Sequence, residues 1–163
     1  MPRPRKQLDF RAAAEALTAP GAEVATMAVI ARRLDVAKPT LYRMAGSREE
    51  LVQICIDAEA ERLLEQLHRA HGLRGLVRFA EDSPAGFALL FGGRYPEARQ
   101  AVRRVENRLG DDLRRRGSSN AQTLAAGLLG LAAGVARRAL EDGVPLASVD
   151  LQGILEQIPP SGN

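Results

Sequence analysis

Four side chains suited to nucleic-acid chemistry lie close together in this sequence: Lys38, Thr40, Tyr42 and Arg43, with Pro39 among them. Cations and hydroxyls presented from the start of a short helix can reach base edges and fix the register of phosphates. Other groups that could do chemistry have simpler readings. His68 and His71 lie three apart with Glu65 nearby, a spacing open to a metal, but a helix-end pair at the edge of a core explains them better. Ser118-Ser119 reads as a loop and cap, and the lone Cys55 as a small core residue rather than a redox sensor. No glycine-rich phosphate loop follows a strand, because no segment reads as a strand. The sequence therefore predicts no catalysis, no metal and no cofactor.

Those four residues need elements to hold them. Phe10, Ala13, Ala14 and Leu17 recur at the spacing of one helical face, and Ala-Pro-Gly at 19–21 ends that helix. Thr26 is placed to cap a second helix carrying Met27, Ile30, Ala31 and Leu34 on one side. After a turn through Asp35 and Val36, Pro39 occupies the first turn of a third helix, which Gly46 stops. Two short helices joined by such a turn form a helix-turn-helix. Ser47-Arg48-Glu49-Glu50 is a capping box, opening a long fourth helix with Leu51, Ile54, Cys55 and Ala58 inward, continuing through Leu63, Leu64 and Leu67 to His71-Gly72 and joining two parts of the molecule. Breaks at Gly72, Ser83-Pro84, Gly92-Gly93, Pro96, Gly117-Ser118-Ser119 and Gly143-Val144-Pro145 leave about five further helices.

Composition agrees with an all-α chain. At 163 residues and 45% hydrophobic content it can bury a core without staples, and aromatics make up only 4% of it, so the apolar surface is aliphatic. One cysteine makes no intrachain disulfide, and a reducing cytoplasm is expected. Met1 to Lys6 is basic without an apolar run behind it, which predicts no secretory signal, and the apolar stretch from Ala121 to Ala136 is shorter than the roughly 20 residues of a membrane span. The formal net charge is only +3, but it is uneven. Before Ser47, the cations Arg3, Arg5, Lys6, Arg11, Arg32, Arg33, Lys38 and Arg43 face only Asp9, Glu15, Glu23 and Asp35. A second cluster, Arg103, Arg104, Arg108 and Arg114 to Arg116, reads as a solvated helix face rather than a second DNA surface, its last-turn cations complementing the helix dipole.

The run from Val29 to Arg43, followed by Gly46-Ser-Arg-Glu-Glu-Leu51, resembles the DNA-binding segment of the TetR family of regulators, over roughly residues 8 to 67. The resemblance implies a three-helix DNA-binding head over residues 1–46. It implies a connecting helix and a C-terminal helical body for dimerisation, often with a small-molecule effector, over 47–163. Thr26, Ala37, Lys38, Pro39, Thr40, Tyr42, Arg43 and Arg48 become the expected DNA-contacting residues: Lys38 and Thr40 facing the groove, Tyr42 and Arg48 touching phosphate. Phe79, Phe87, Leu90 and Phe91 are the candidate effector-site lining. The last two helices are expected to pair with those of a second copy through Leu124, Gly127, Leu128, Leu131, Gly134, Val135, Leu151, Ile154 and Leu155. The function implied is a cytoplasmic homodimeric regulator, a repressor bound to a palindromic operator of double-stranded DNA. The chain departs from the family at Asp35, where a glycine is usual, and at Met44-Ala45, where an aromatic pair is usual. Asp tolerates a left-handed backbone, so the turn is expected to survive. The lost aromatics open an alternative, a helical dimer kept as a ligand-binding or interaction module with weak or lost DNA binding.

Overall fold

A computed structural model describes residues 8–70 and 73–146. Among them every regular element is helical: α1 Phe10–Thr18, a 3-10 turn Ala22–Val24, α2 Met27–Arg33, α3 Lys38–Ala45, α4 Arg48–Arg69, α5 Arg74–Asp82, α6 Pro84–Phe91, α7 Ala98–Arg115 and α8 Ala121–Glu141. The expected breaks fall between these helices; the fifth helix expected after α4 lies outside the described residues. The chain divides into two compact units that do not follow chain order. One comprises the residues up to Glu61 together with Ser83–Val102, and the other Arg62–Asp82 with the residues from Arg103 onward.

In the first unit, α1 starts at Asp9, whose carboxylate accepts from the backbone N–H groups of Arg11 and Ala12 at 3.0 and 3.1 Å. Ala13, Ala14, Ala16 and Leu17 are buried, and the small residues let α1 pack closely on α6 and α2. Phe10, expected on this inner face, is 42% exposed, because it sits in the first turn before the packed part of the helix begins. The first half of α4 buries Leu51, Val52, Cys55, Ile56, Glu59 and Ala60, while Ile54 and Ala58 are only half-buried. Its inner face is therefore broader than the expected stripe and turned toward Val52 and Ile56. The buried carboxylate of Glu59 accepts from the Ser83 hydroxyl at 3.3 Å, and that hydroxyl in turn accepts from the Gly86 N–H at 3.3 Å to cap α6. A Cβ at position 86 would collide with the Glu59 carboxylate, so glycine is what lets the acid sit there.

The second unit holds the end of α4, α5, the later part of α7, and α8. α5 comes against the α4 backbone where Gly75 lies over Gln66 and Leu67; any side chain at 75 would strike that backbone. α5 also packs on α8. The sequence reads α8 as apolar nearly all round and buried on most sides. Its buried positions are Ala121, Ala125, Leu129, Ala132, Ala133, Ala136 and Ala139, all alanine but one. The larger apolar side chains lie on another face, where Leu124 is 43% exposed and Leu128, Leu131 and Val135 are half-buried. At 21 residues α8 is long and apolar enough by length and composition to cross a membrane, longer than the apolar run alone suggested. Its alanine face is nonetheless taken up by packing within this unit.

Cys55 is fully buried one turn before Glu59. Burial pushes its thiol from the usual 9.0 up to about 12, and the neighbouring Glu59 charge adds to the rise. Between these values the unfolded chain has lost the thiol proton while the folded chain keeps it, so folded-state stability declines as pH rises from about 9 toward 12. Denaturant unfolding at pH 8 and pH 10 is expected to show a loss in the native protein that Cys55→Ala lacks, about 1 kcal/mol in size. Identical pH dependence in both proteins would contradict this burial of the thiol.

Candidate nucleic-acid interface

Local chemistry builds the helix pair. Thr26 sits in extended backbone before α2, and its hydroxyl accepts from the Val29 N–H at 3.4 Å. Met27, Ile30 and Ala31 anchor α2 inward. The turn closes with the Val36 N–H donating to Ala31 O at 3.0 Å, and Asp35 takes a left-handed φ of 50° in the place expected. α3 then starts from Ala37, which offers no capping side chain; Pro39, which has no N–H to leave unsatisfied, stands in its first turn. α3 ends at Gly46, and the capping box follows as expected. Ser47 N–H donates to the Glu50 carboxylate at 2.8 Å, and Glu50 N–H to the Ser47 hydroxyl at 3.1 Å.

The inner side of α3 carries buried Leu41 and Ala45 with half-buried Met44. Lys38, Pro39, Tyr42 and Arg43 are exposed together on the other side, and the Lys38 ammonium stands 5.7 Å from the centre of the Tyr42 ring. Thr40 is half-buried and lies off this face, toward Met44. Ala37 is exposed beside Lys38, and Thr26 is exposed with its hydroxyl already engaged as a cap. The structure thus brings together two cations and a phenol on one helix face, flanked by exposed Arg32 at the end of α2.

Arg48 is the expected contact whose geometry differs most from expectation. Its side chain is half-buried and turned inward: Nε donates to Ala25 O at 3.2 Å and Nη2 to Ala22 O at 2.9 Å. These bonds fasten the start of α4 to the short turn before α2. Arg33, expected only as part of the basic excess, donates from Nη1 to Ala16 O at 3.0 Å and fastens α2 to α1. No spacing rule gives either contact, because the acceptors are backbone carbonyls 17 and 23–26 positions away.

Of the candidate effector-site residues, Phe87 and Leu90 are buried and Phe91 is half-buried in the first unit, with the Phe87 and Phe91 rings 5.1 Å apart. Phe79 is fully buried in the other unit. Of the candidate dimer residues, Leu124 and Gly127 are exposed and Leu128, Leu131, Gly134 and Val135 half-buried on α8; Leu151, Ile154 and Leu155 lie outside the described residues. On α7, Arg114 pairs with Asp111 at 2.7 Å and Arg115 with Asp112, the behaviour of a solvated helix face. Among the described residues no cluster of His, Cys, Asp or Glu could hold a metal.

An all-helical chain whose short second helix of a pair displays Lys38, Tyr42 and Arg43 outward is a helix-turn-helix DNA-binding protein. Residues 10–54 match the family model described as bacterial regulatory proteins, tetR family. That match covers the helix pair and the helices that support it, so this head of the chain is of the type carried by those bacterial regulatory proteins. No curated protein sequence matches the chain.

The inward turn of Arg48 alters what its replacement does. Arg48→Ala leaves the carbonyls of buried Ala22 and Ala25 without these donors and is expected to cost about 1–3 kcal/mol in DNA-free unfolding. Chemical denaturation without DNA checks this. Unchanged stability with a uniform loss of DNA affinity would instead make Arg48 a phosphate contact.

Proposed function

We propose that the protein is a homodimeric, cytoplasmic repressor that binds a palindromic operator, reading each half-site with α3. The observation that carries this reading is the outward face of α3, where Lys38, Pro39, Tyr42 and Arg43 stand clear of the packing made by Leu41 and Ala45. A recognition helix lies in the major groove with its N-terminal residues at base edges, so Lys38 selects sequence while Tyr42 and Arg43 hold phosphates, and half-buried Thr40 stands off that face. Thr26, Ala37 and Pro39 sit at the two helix starts that approach the backbone, and Arg48 acts from behind, by holding the turn before α2.

Homodimerisation is supported by α8. Leu124, Leu128, Leu131 and Val135 follow helical spacing on a face that no other described element covers fully, whereas the covered face is mostly alanine. A side chain added at Gly127, Gly130 or Gly134 would meet nothing within 4 Å among the described residues, which leaves room for a second helix to approach. A two-fold pair is the commonest assembly and matches a palindromic site. Release by a small-molecule effector rests on the family resemblance alone. The alternative of a module that has lost DNA binding is less favoured, because α3 stays helical through Ala45 with its outward face intact.

Selection of bound duplexes from random sequence tests the reading. A two-fold symmetric motif is expected, and Lys38→Ala is expected to change the preferred bases while Tyr42→Phe weakens all duplexes alike; a protein that enriches no sequence is not this repressor. Leu131→Arg puts a charge into the proposed α8 pairing. Sedimentation is expected to give a monomer of 17.6 kDa in place of a dimer, with operator affinity falling far more than nonspecific affinity. A dimeric Leu131→Arg protein with normal operator binding removes this interface.

A further inference from the structure

We propose that Arg94 and Tyr95, far from the helix-turn-helix in sequence, are positioning residues for DNA reading; this rests on the function proposed above. α1 ends at Thr18 with Ala19 as its C-cap, and Pro20 follows. In a common helix closure, the residue after the cap donates its N–H to the carbonyl three positions back, and the next residue donates five positions back. Here these would be 20 to Leu17 and 21 to Ala16. Pro20 has no N–H and Ala19 is extended at ψ 154°, so neither bond forms.

Distant side chains take over. Tyr95 Oη donates to Leu17 O at 2.8 Å, Arg33 Nη1 donates to Ala16 O at 3.0 Å, and Arg94 Nη1 donates to Thr18 O and Ala19 O at 3.4 and 3.3 Å. Tyr95 is 7% exposed and Leu17 wholly buried, so water is poorly placed to replace that phenol. Adjacent carbonyls of α1 are thus held by the last residue of α2 and by the segment after α6. All of these residues belong to one compact unit, in which α1 also packs on α6. A shift of α1 at Leu17 moves the acceptor of Arg33, and with it α2 and the α3 that packs on α2. Base-edge contacts depend on that placement more than phosphate contacts do.

The test separates positioning from simple capping. Tyr95→Phe is expected to lower the midpoint of thermal unfolding by about 3–6 °C. It is also expected to weaken binding to the selected duplex by about tenfold, with nonspecific duplex affinity at the same salt unchanged. Arg94→Ala, a change at an exposed side chain, is expected to lower specific affinity in the same direction. A lowered midpoint with specific and nonspecific affinity falling alike in Tyr95→Phe would make Tyr95 a cap and nothing more, and would overturn the proposal. So would full specific affinity in Tyr95→Phe and Arg94→Ala. A native protein that selects no duplex overturns the proposed function and this inference together, whereas a selective native protein with indifferent variants overturns only the inference.

Discussion

A helix of seven residues followed by one of eight cannot hold its shape in water on its own propensity, since nucleation is unfavourable and so few bonds follow it. Everything about the DNA-reading head depends on that constraint. α2 and α3 exist because Ile30, Ala31, Leu41 and Ala45 are buried and because each end is tied down. Thr26 caps α2, left-handed Asp35 turns the chain, Pro39 pre-sets the first turn of α3, and the Ser47–Glu50 box starts α4 as α3 ends. Remove any one and the exposed face of α3 loses its fixed direction. Short helices carry the function, and long α4 supplies part of their footing.

What was legible in the sequence follows from this. Caps, breakers and the 3.6-residue period act over a few positions, so the helices, the turn at Asp35 and the capping box could be read directly, and the outward placement of Lys38, Tyr42 and Arg43 followed, whereas Thr40, expected beside them, is half-buried. The inner faces were less well read. Phe10 satisfies the periodicity of α1 but precedes the part that is packed, and α4 buries Val52, Ile56 and Glu59 while Ile54 and Ala58 of the expected stripe are half-buried, because period alone says nothing of how many neighbours a helix has. The contacts of Arg33 and Arg48 were illegible for a different reason. Their acceptors are backbone carbonyls, which every residue possesses, so nothing in the side-chain pattern marks them.

The later part of the chain was harder still. A hydrophobicity pattern identifies α8 as apolar but cannot say which apolar residues meet neighbours of the same chain. The structure separates most of them by size: the alanines and Leu129 meet the rest of the unit at close range, while Leu124 is exposed and Leu128, Leu131 and Val135 are half-buried. A buried face built from alanine removes little apolar area per residue, so α8 gains less from its own unit than its composition suggests. The candidate effector-site aromatics illustrate the same limit. Phe87, Phe91 and Leu90 sit in one unit and Phe79 in the other, although sequence proximity had grouped them.

Charge in the first unit divides into two kinds that composition cannot distinguish. Arg33, Arg48 and Arg94 spend guanidinium N–H groups on backbone carbonyls, whereas Lys38 and Arg43 remain exposed on the outward face of α3. An arginine that caps a carbonyl keeps its full positive charge, because the bond is to a neutral acceptor and no proton leaves. It therefore still contributes to the field that draws a polyanion inward, over a range of about 8 Å at physiological salt, while having fewer donors left for phosphate. The basic excess before Ser47 thus points to a polyanionic partner but is a poor guide to the contacts. Field depends on where charges are, but contact depends on which hydrogen-bond donors the fold has left unused.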